Sequence, residues 1–315
     1  MRANSGEGAS TGTAEPLRPQ APSRLAIWLD AARPKTLPAA AAPVLLGVLF
    51  AWGDGVFHAL AAVCALAGAL LIQVGTNYVN DSEDALRGAD TEARKGPQRA
   101  TAAGLVTPGQ MRLASGVAFG LAFVAGLYLI VRGGWPILAL GLVSIASGIA
   151  YTAGRYALAY TGLADVFVLV FFGPVAVGGT YYVQALALPP WVLVAGLAPG
   201  ALATAILLAN NVRDVDEDRA ADKRTLVVRF GRSFGVRLYG VCVSIAVAVP
   251  AGLAFYWRAH VGILAASLVA TLVGRHLAAR LARETAPRVL NGVLARTAGL
   301  LLAYCAAFGL GYALT

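Results

Sequence analysis

HALAAVCALAGALLIQVGTNYVNDSED, residues 58–84, joins two incompatible environments in one run. Its first part, 58–79, is apolar over the roughly 20 residues that a helix needs to cross a bilayer. It ends abruptly in Asn77, Asn80, Asp81, Glu83 and Asp84, amides and carboxylates that hydrocarbon rejects. A membrane helix that emerges into water with its polar groups gathered at one end satisfies both halves.

The same pattern recurs along the 315-residue chain. Apolar segments at approximately 37–53, 58–79, 113–131, 135–151, 162–184, 191–209, 238–257, 261–279 and 297–314 predict an all-α, polytopic membrane protein of about nine transmembrane helices. Composition agrees: 58% of residues are hydrophobic and 13% charged, whereas soluble domains carry about 25% charged residues. Residues 1–24 are rich in Ser, Gly, Thr, Ala and Pro, without an apolar core. They read as a disordered cytoplasmic tail and not as a signal peptide, which leaves 25–315 as a single transmembrane domain. Cys64, Cys242 and Cys305 lie in separate apolar segments, and His58, His260 and His276 form no ligand pair, so no zinc site is expected.

The net charge is +9. With a cytoplasmic N-terminus, 23 of the 25 Lys and Arg residues fall on the inner side and only Arg132 and Arg258 on the outer. Such a bias sets membrane orientation; nucleic acid is not an expected partner. The long connections 80–112 and 210–237 are then cytoplasmic, and the C-terminus lies outside.

Those two connections hold ten of the sixteen carboxylates. The second cluster reads Asn210-Asn211-Val-Arg-Asp214-Val-Asp-Glu-Asp218. In each cluster an Asn precedes the leading Asp by four residues, which puts both on one helical face. The leading aspartates are 133 residues apart, at the inner ends of the second and sixth spans, as expected of a duplicated four-helix unit with a ninth helix appended. Asp and Asn supply the hard oxygens that magnesium prefers. Magnesium takes one or two protein carboxylates and completes its shell with water and phosphate. Two such clusters facing each other would hold two or three Mg²⁺ and clamp a diphosphate; the plainer alternative is solvated acids capping helices.

The chain has 22 Arg but three Lys, and Lys35, Lys95 and Lys223 all sit beside or within a motif. An ammonium there suits a point contact to phosphate, although lipid head groups also attract such charges. Asp165 falls at or just inside a span, where an ionisable group is costly and usually functional; a helix N-terminal charge is the competing reading.

These residues fall into a recognisable order. Arg33-Pro34-Lys35-Thr36-Leu37-Pro38, the run Asn77 to Asp84 with Gly88 and Asp90, and Gly96-Pro97 come first. Tyr151-Thr-x-Gly154, Gly162-Leu-x-Asp165 before Phe171-Phe-Gly173, and Asn210-Asn211-x-Arg213-Asp214-x-x-x-Asp218 with Lys223-x-Thr225-Leu226 complete it. From about Trp28 onward the chain resembles the UbiA superfamily of intramembrane aromatic prenyltransferases, and within it the members of menaquinone biosynthesis that act on 1,4-dihydroxy-2-naphthoate. One departure is Asp222, where the family commonly has Gly.

The resemblance implies a UbiA-type bundle and a Mg²⁺-dependent transferase. Its partners would be polyprenyl diphosphate, 1,4-dihydroxy-2-naphthoate and membrane lipid, and its place a bacterial inner membrane. The implied products are demethylmenaquinone, CO₂ and diphosphate. Asp81, Asp84, Asp214 and Asp218 would hold metal with Asn77 and Asn210, while Asn80 and Asn211 act as neutral ligands or orienting donors. Arg33, Lys35, Lys95, Arg99 and Lys223 would meet the diphosphate, and Tyr151, Arg155, Tyr160 and Asp165 would orient the aromatic acid or shield the allylic cation. A UbiA-type enzyme with another acceptor stays open. A divalent-cation transporter fits less well, because its site would sit near midplane, and the DG…AR…G…D…D run of CDP-alcohol phosphotransferases is absent.

Overall fold

A computed structural model describes residues 23–88 and 99–315, Tyr156 excepted. The tail expected over 1–24 therefore lies almost wholly outside the described residues, as do Asp90, Lys95, Gly96 and Pro97. Described in order are α1 (Arg24–Ala32), α2 (Leu37–Gly53), α3 (Ala59–Leu86), α4 (Pro108–Gly133), α5 (Trp135–Ala150), α6 (Ala164–Ala185), α7 (Pro190–Arg213), α8 (Val215–Ala220), α9 (Leu226–Phe230), α10 (Arg232–Trp257), α11 (Val261–Arg283) and α12 (Pro287–Ala313). No strand occurs among the described residues.

Eight helical segments, the first joining α1 and α2, are long and apolar enough to cross a membrane, and α5 is a shorter apolar ninth. The protein is a multi-pass membrane bundle. Helix starts follow local chemistry: Pro108, Pro190 and Pro287 stand in first turns, where a missing N–H costs nothing. Thr107 and Gln110 close a capping box on α4.

The helices outrun the apolar segments. α3 continues to Leu86, so Asp81, Glu83 and Asp84 stand on a helix and not in the connection expected from residue 80. α10 and α12 likewise begin at Arg232 and Pro287, ahead of the expected 238 and 297. The reason is physical: backbone hydrogen bonds hold a helix in water as in lipid, while an apolar scan ends where lipid ends.

α7 is the most enclosed spanning helix, with 72% of its apolar window buried. Its Ala and Gly residues let neighbours approach closely. An added Cβ on Gly200 would lie 2.2 Å from the Leu169 carbonyl oxygen of α6. There α6 is irregular: Phe171–Val175 forms a π-type turn around Pro174, with Gly173 at φ −115°, ψ −110°.

Side chains pin both ends of the bundle. At the end away from Asp84, Asp54 accepts hydrogen bonds from Tyr181 and, at 2.6 Å, from Tyr312, joining α2, α6 and α12. At the other end, the Arg33 Nη2 donates to Asn80 Oδ1 at 2.7 Å, and Asn77 Nδ2 donates to the Ala32 carbonyl at 2.8 Å.

Gly200→Val forces a side chain into backbone and should destabilise the protein by about 2–3 kcal/mol. Gly116→Ala, with no neighbour within 4 Å of the added carbon, should not. Thermal unfolding in detergent checks the pair; equal stability would contradict the packing described.

Candidate functional site

The two polar motifs open into one cavity of about 450 Å³. At one end its wall carries Asn77, Asn80 and Asp84 from α3, Asn210 and Asn211 from α7, and Asp214, Glu217 and Asp218 where α7 passes into α8. Toward the other end the wall becomes apolar, with Ala65, Ile72, Phe123, Ile130, Ile137, Ile145 and Val183 from α3 to α6. A polar mouth therefore leads into an apolar groove.

Lys223 ties the motifs together. Its Nζ lies 3.5 Å from Asp84 Oδ2 and 3.9 Å from Asp218 Oδ1. Local backbone holds it there: Lys223 N donates to the Asp218 carbonyl at 2.8 Å, and Arg224 N to the Tyr160 carbonyl at 3.2 Å. Gly162, at φ +78°, allows this approach, because a Cβ on it would lie 2.9 Å from the Arg224 carbonyl oxygen.

Asp84 and Asp214 each have their own compensation at the mouth. Asp84, 1% exposed, also pairs with Arg99 Nη2 at 3.2 Å and accepts from the Tyr160 hydroxyl at 2.9 Å. The Arg213 Nε donates to Asp214 Oδ1 at 2.6 Å, while its Nη atoms reach Asn210 Oδ1 at 2.8 Å and Asn291 Oδ1 of α12 at 2.5 Å. Asp218 has the Lys223 ammonium at the longer distance of 3.9 Å. Its carboxyl is raised to about 7: burial pushes it up most, Lys223 pulls it down, and Asp214, Asp84 and Glu217 add to the rise. That is a place where an added cation is favoured.

Four expected residues sit elsewhere. Asp81 is buried but absent from the cavity wall; it accepts from Ala100 N at 3.2 Å and Thr101 N at 2.9 Å, holding the segment that carries Arg99. Lys35 and Arg155 are exposed and off the wall. Tyr160 is also off the wall, turned onto Asp84 with its ring 5.2 Å from Lys223 Nζ and 4.5 Å from the Arg87 guanidinium. Burial, then the Asp84 charge, raises the Tyr160 phenol well above its ordinary range, so it stays a donor. Arg33, Arg99, Tyr151 and Asp165 are on the wall with Lys223, and Lys95 lies outside the described residues.

Three wall or support residues escaped the sequence reading. Glu217 was counted among the acids without a role. Arg213 stood in the motif unassigned. Asn291, 78 residues beyond Arg213, carries no local signal at all.

For magnesium the donor chemistry fits. Among the described residues no three acid, His or Cys side chains converge on one point. A metal that takes one or two carboxylates and completes its shell with phosphate does not require that.

Asp222 is at φ +52°, with its side chain 89% exposed and its nearest charge, Arg224, 3.7 Å away. It is exposed and absent from the cavity wall. Asp222→Gly, which relieves the left-handed strain, should keep activity within twofold, whereas Asp222→Val should lose stability. A tenfold loss in the glycine variant would contradict this. Asp218 gives a pH test. Folded protein retains its proton between about pH 4 and 7, where the unfolded chain has lost it, so stability without metal falls as pH rises through that window. Melting curves should show this decline in the wild type and a smaller one in Asp218→Asn; identical profiles would contradict it.

The UbiA prenyltransferase family matches residues 40–300. Similar chains include the 1,4-dihydroxy-2-naphthoate octaprenyltransferases of Escherichia coli (strain K12) and Mycobacterium tuberculosis (strain ATCC 25618 / H37Rv). The first is 40% identical over 227 residues, 70% of this chain and 73% of that protein. The second is 39% identical over 267 residues, 82% of this chain and 89% of that protein. Among solved structures, a UbiA homolog from Archaeoglobus fulgidus bound to GPP and Mg²⁺ superposes with a TM-score of 0.60 at 16% identity, over 89% of this chain and 99% of that one. The chain belongs to the UbiA prenyltransferase family.

Proposed function

We propose that the protein transfers a polyprenyl group from polyprenyl diphosphate to 1,4-dihydroxy-2-naphthoate, on the cytoplasmic side of a bacterial plasma membrane. The observation that carries the site is the contact of Lys223 with Asp84 and Asp218 at the mouth of an apolar groove. A diphosphate belongs between the motifs and its hydrocarbon tail along the groove. The acceptor rests on the two octaprenyltransferases of that name, and the orientation on the clustering of Lys and Arg at the motif end.

Two or three Mg²⁺ would be held by Asp84, Asp214 and Asp218 with Asn77 and Asn210, supplying positive charge to the diphosphate as its bond to carbon breaks. Asp81 contributes by holding the Ala100–Thr101 backbone. Lys223 and Arg99, paired with Asp84 at rest, turn to the phosphate oxygens. Arg213 keeps Asn210 and Asp214 in place.

The C1–O bond of the prenyl diphosphate breaks, and both electrons leave with diphosphate. The allylic cation that remains is attacked by the electron-rich ring. The ring carbon bearing the carboxylate forms the new carbon–carbon bond, and departure of CO₂ returns an electron pair to the ring. The product is demethylmenaquinone at the quinol level. Tyr151 lies on the wall beside this chemistry, a polar ring beside the cation.

Purified protein should consume dihydroxynaphthoate and polyprenyl diphosphate only with Mg²⁺, and chelation should stop it. Asp84→Ala and Asp214→Ala should each lower kcat by about 100-fold or more while the protein remains folded. Near-normal turnover by both would refute the site. Product with hydroxybenzoate but not with the naphthoate would refute the acceptor.

A further inference from the structure

Asp165 is 5% exposed, on the cavity wall and in the first turn of α6. Its own amide lies near, but no other described residue donates to either carboxyl oxygen. It does not cap its helix, since Val166 N and Phe167 N both donate to the Leu163 carbonyl at 3.1 Å. A buried acceptor without a donor is costly, and in a membrane it is retained for function.

The reactants differ in what they can offer it. A diphosphate is an anion with acceptor oxygens, and a prenyl tail has no polar hydrogen. A hydroxylated aromatic ring supplies the missing donor. The wall beside Asp165 suits such a ring: Phe167 and Phe171 are stacked with centroids 5.8 Å apart, and both face the cavity.

We propose that Asp165 is the acceptor-recognition carboxyl: it takes the hydrogen bond of one ring hydroxyl of the aromatic acceptor and so sets which hydroxyarene is prenylated. This rests on the prenyltransferase reading above. It also orients the ring. The acceptor's own carboxylate is repelled by Asp165 and turns toward Arg33, on the same wall.

The test compares 1,4-dihydroxy-2-naphthoate with its two mono-O-methyl ethers, in wild type and in Asp165→Leu, which has no acceptor oxygen. In wild type, one ether should lose about 10- to 100-fold in kcat/KM against the parent. In Asp165→Leu, the parent's KM should rise by a similar factor, the preference over that ether should collapse, and the KM for prenyl diphosphate should stay within twofold. The proposal is overturned if wild type accepts both ethers as well as the parent, a result that needs no variant. It is also overturned if the preference survives in Asp165→Leu, or if the variant raises the KM for prenyl diphosphate as much as that for the acceptor. Wild-type turnover of the parent alongside any of these results leaves the prenyltransferase reading standing; no turnover with any naphthoate removes both.

Discussion

The structure depends on one crowded electrostatic junction. Asp84 and Asp218 come from motifs 134 residues apart in sequence, and like charges brought together away from water repel strongly. The Lys223 ammonium, within 4 Å of both, makes their proximity tolerable. Its own position is secured by the Asp218 carbonyl, by the turn at Gly162 and by the Tyr160 ring. Arg99 and Arg213 do the same for the rest of the mouth. At rest, the site is a set of acids matched to cations that can be exchanged. In the function proposed above, an arriving diphosphate with its metal ions would offer both signs at once, giving each resting pair a new partner to move to.

The groove follows from how the helices pack. α7 is lined with small residues, and α6 lies so close to it that Gly173 and Gly200 meet backbone to backbone. The π-type turn at Phe171–Val175 interrupts the regular packing of α6 just where Phe171, Phe172 and Val175 line the cavity. Close packing on one side of α6 and an open groove on the other are thus two aspects of one irregularity. The aromatic clasp of Asp54, Tyr181 and Tyr312 lies at the opposite end from the motifs, fixing the bundle without touching the chemistry.

Most of the fold was legible because lipid imposes a simple rule: apolar runs of spanning length are helices, and about nine were found. Helix ends were not, because Asn80–Asp84 stays helical among buried polar partners, beyond the apolar run, where hydropathy sees a loop. The motifs were legible as chemistry, and Asn80, Asp84, Asn211 and Asp218 do face one cavity. The division of labour within them was not. Asp81 lies three residues before Asp84, about 60° round the helix, and that rotation turns it from the cavity to the backbone of Ala100 and Thr101. Asn291 was invisible, since its contact with Arg213 exists only after α7 and α12 pack. Asp222 looked like a departure in chemistry, and its left-handed backbone shows why glycine is natural there.

The central claim is that both motifs grip the same head group. The most direct measurement is the Mg²⁺-dependent affinity for a prenyl methylenediphosphonate, a non-reacting diphosphate, in wild type, Asp84→Ala, Asp218→Ala and the double variant. A shared head group predicts strong coupling, with the double variant binding little worse than either single one. Two independent losses that simply add would contradict it.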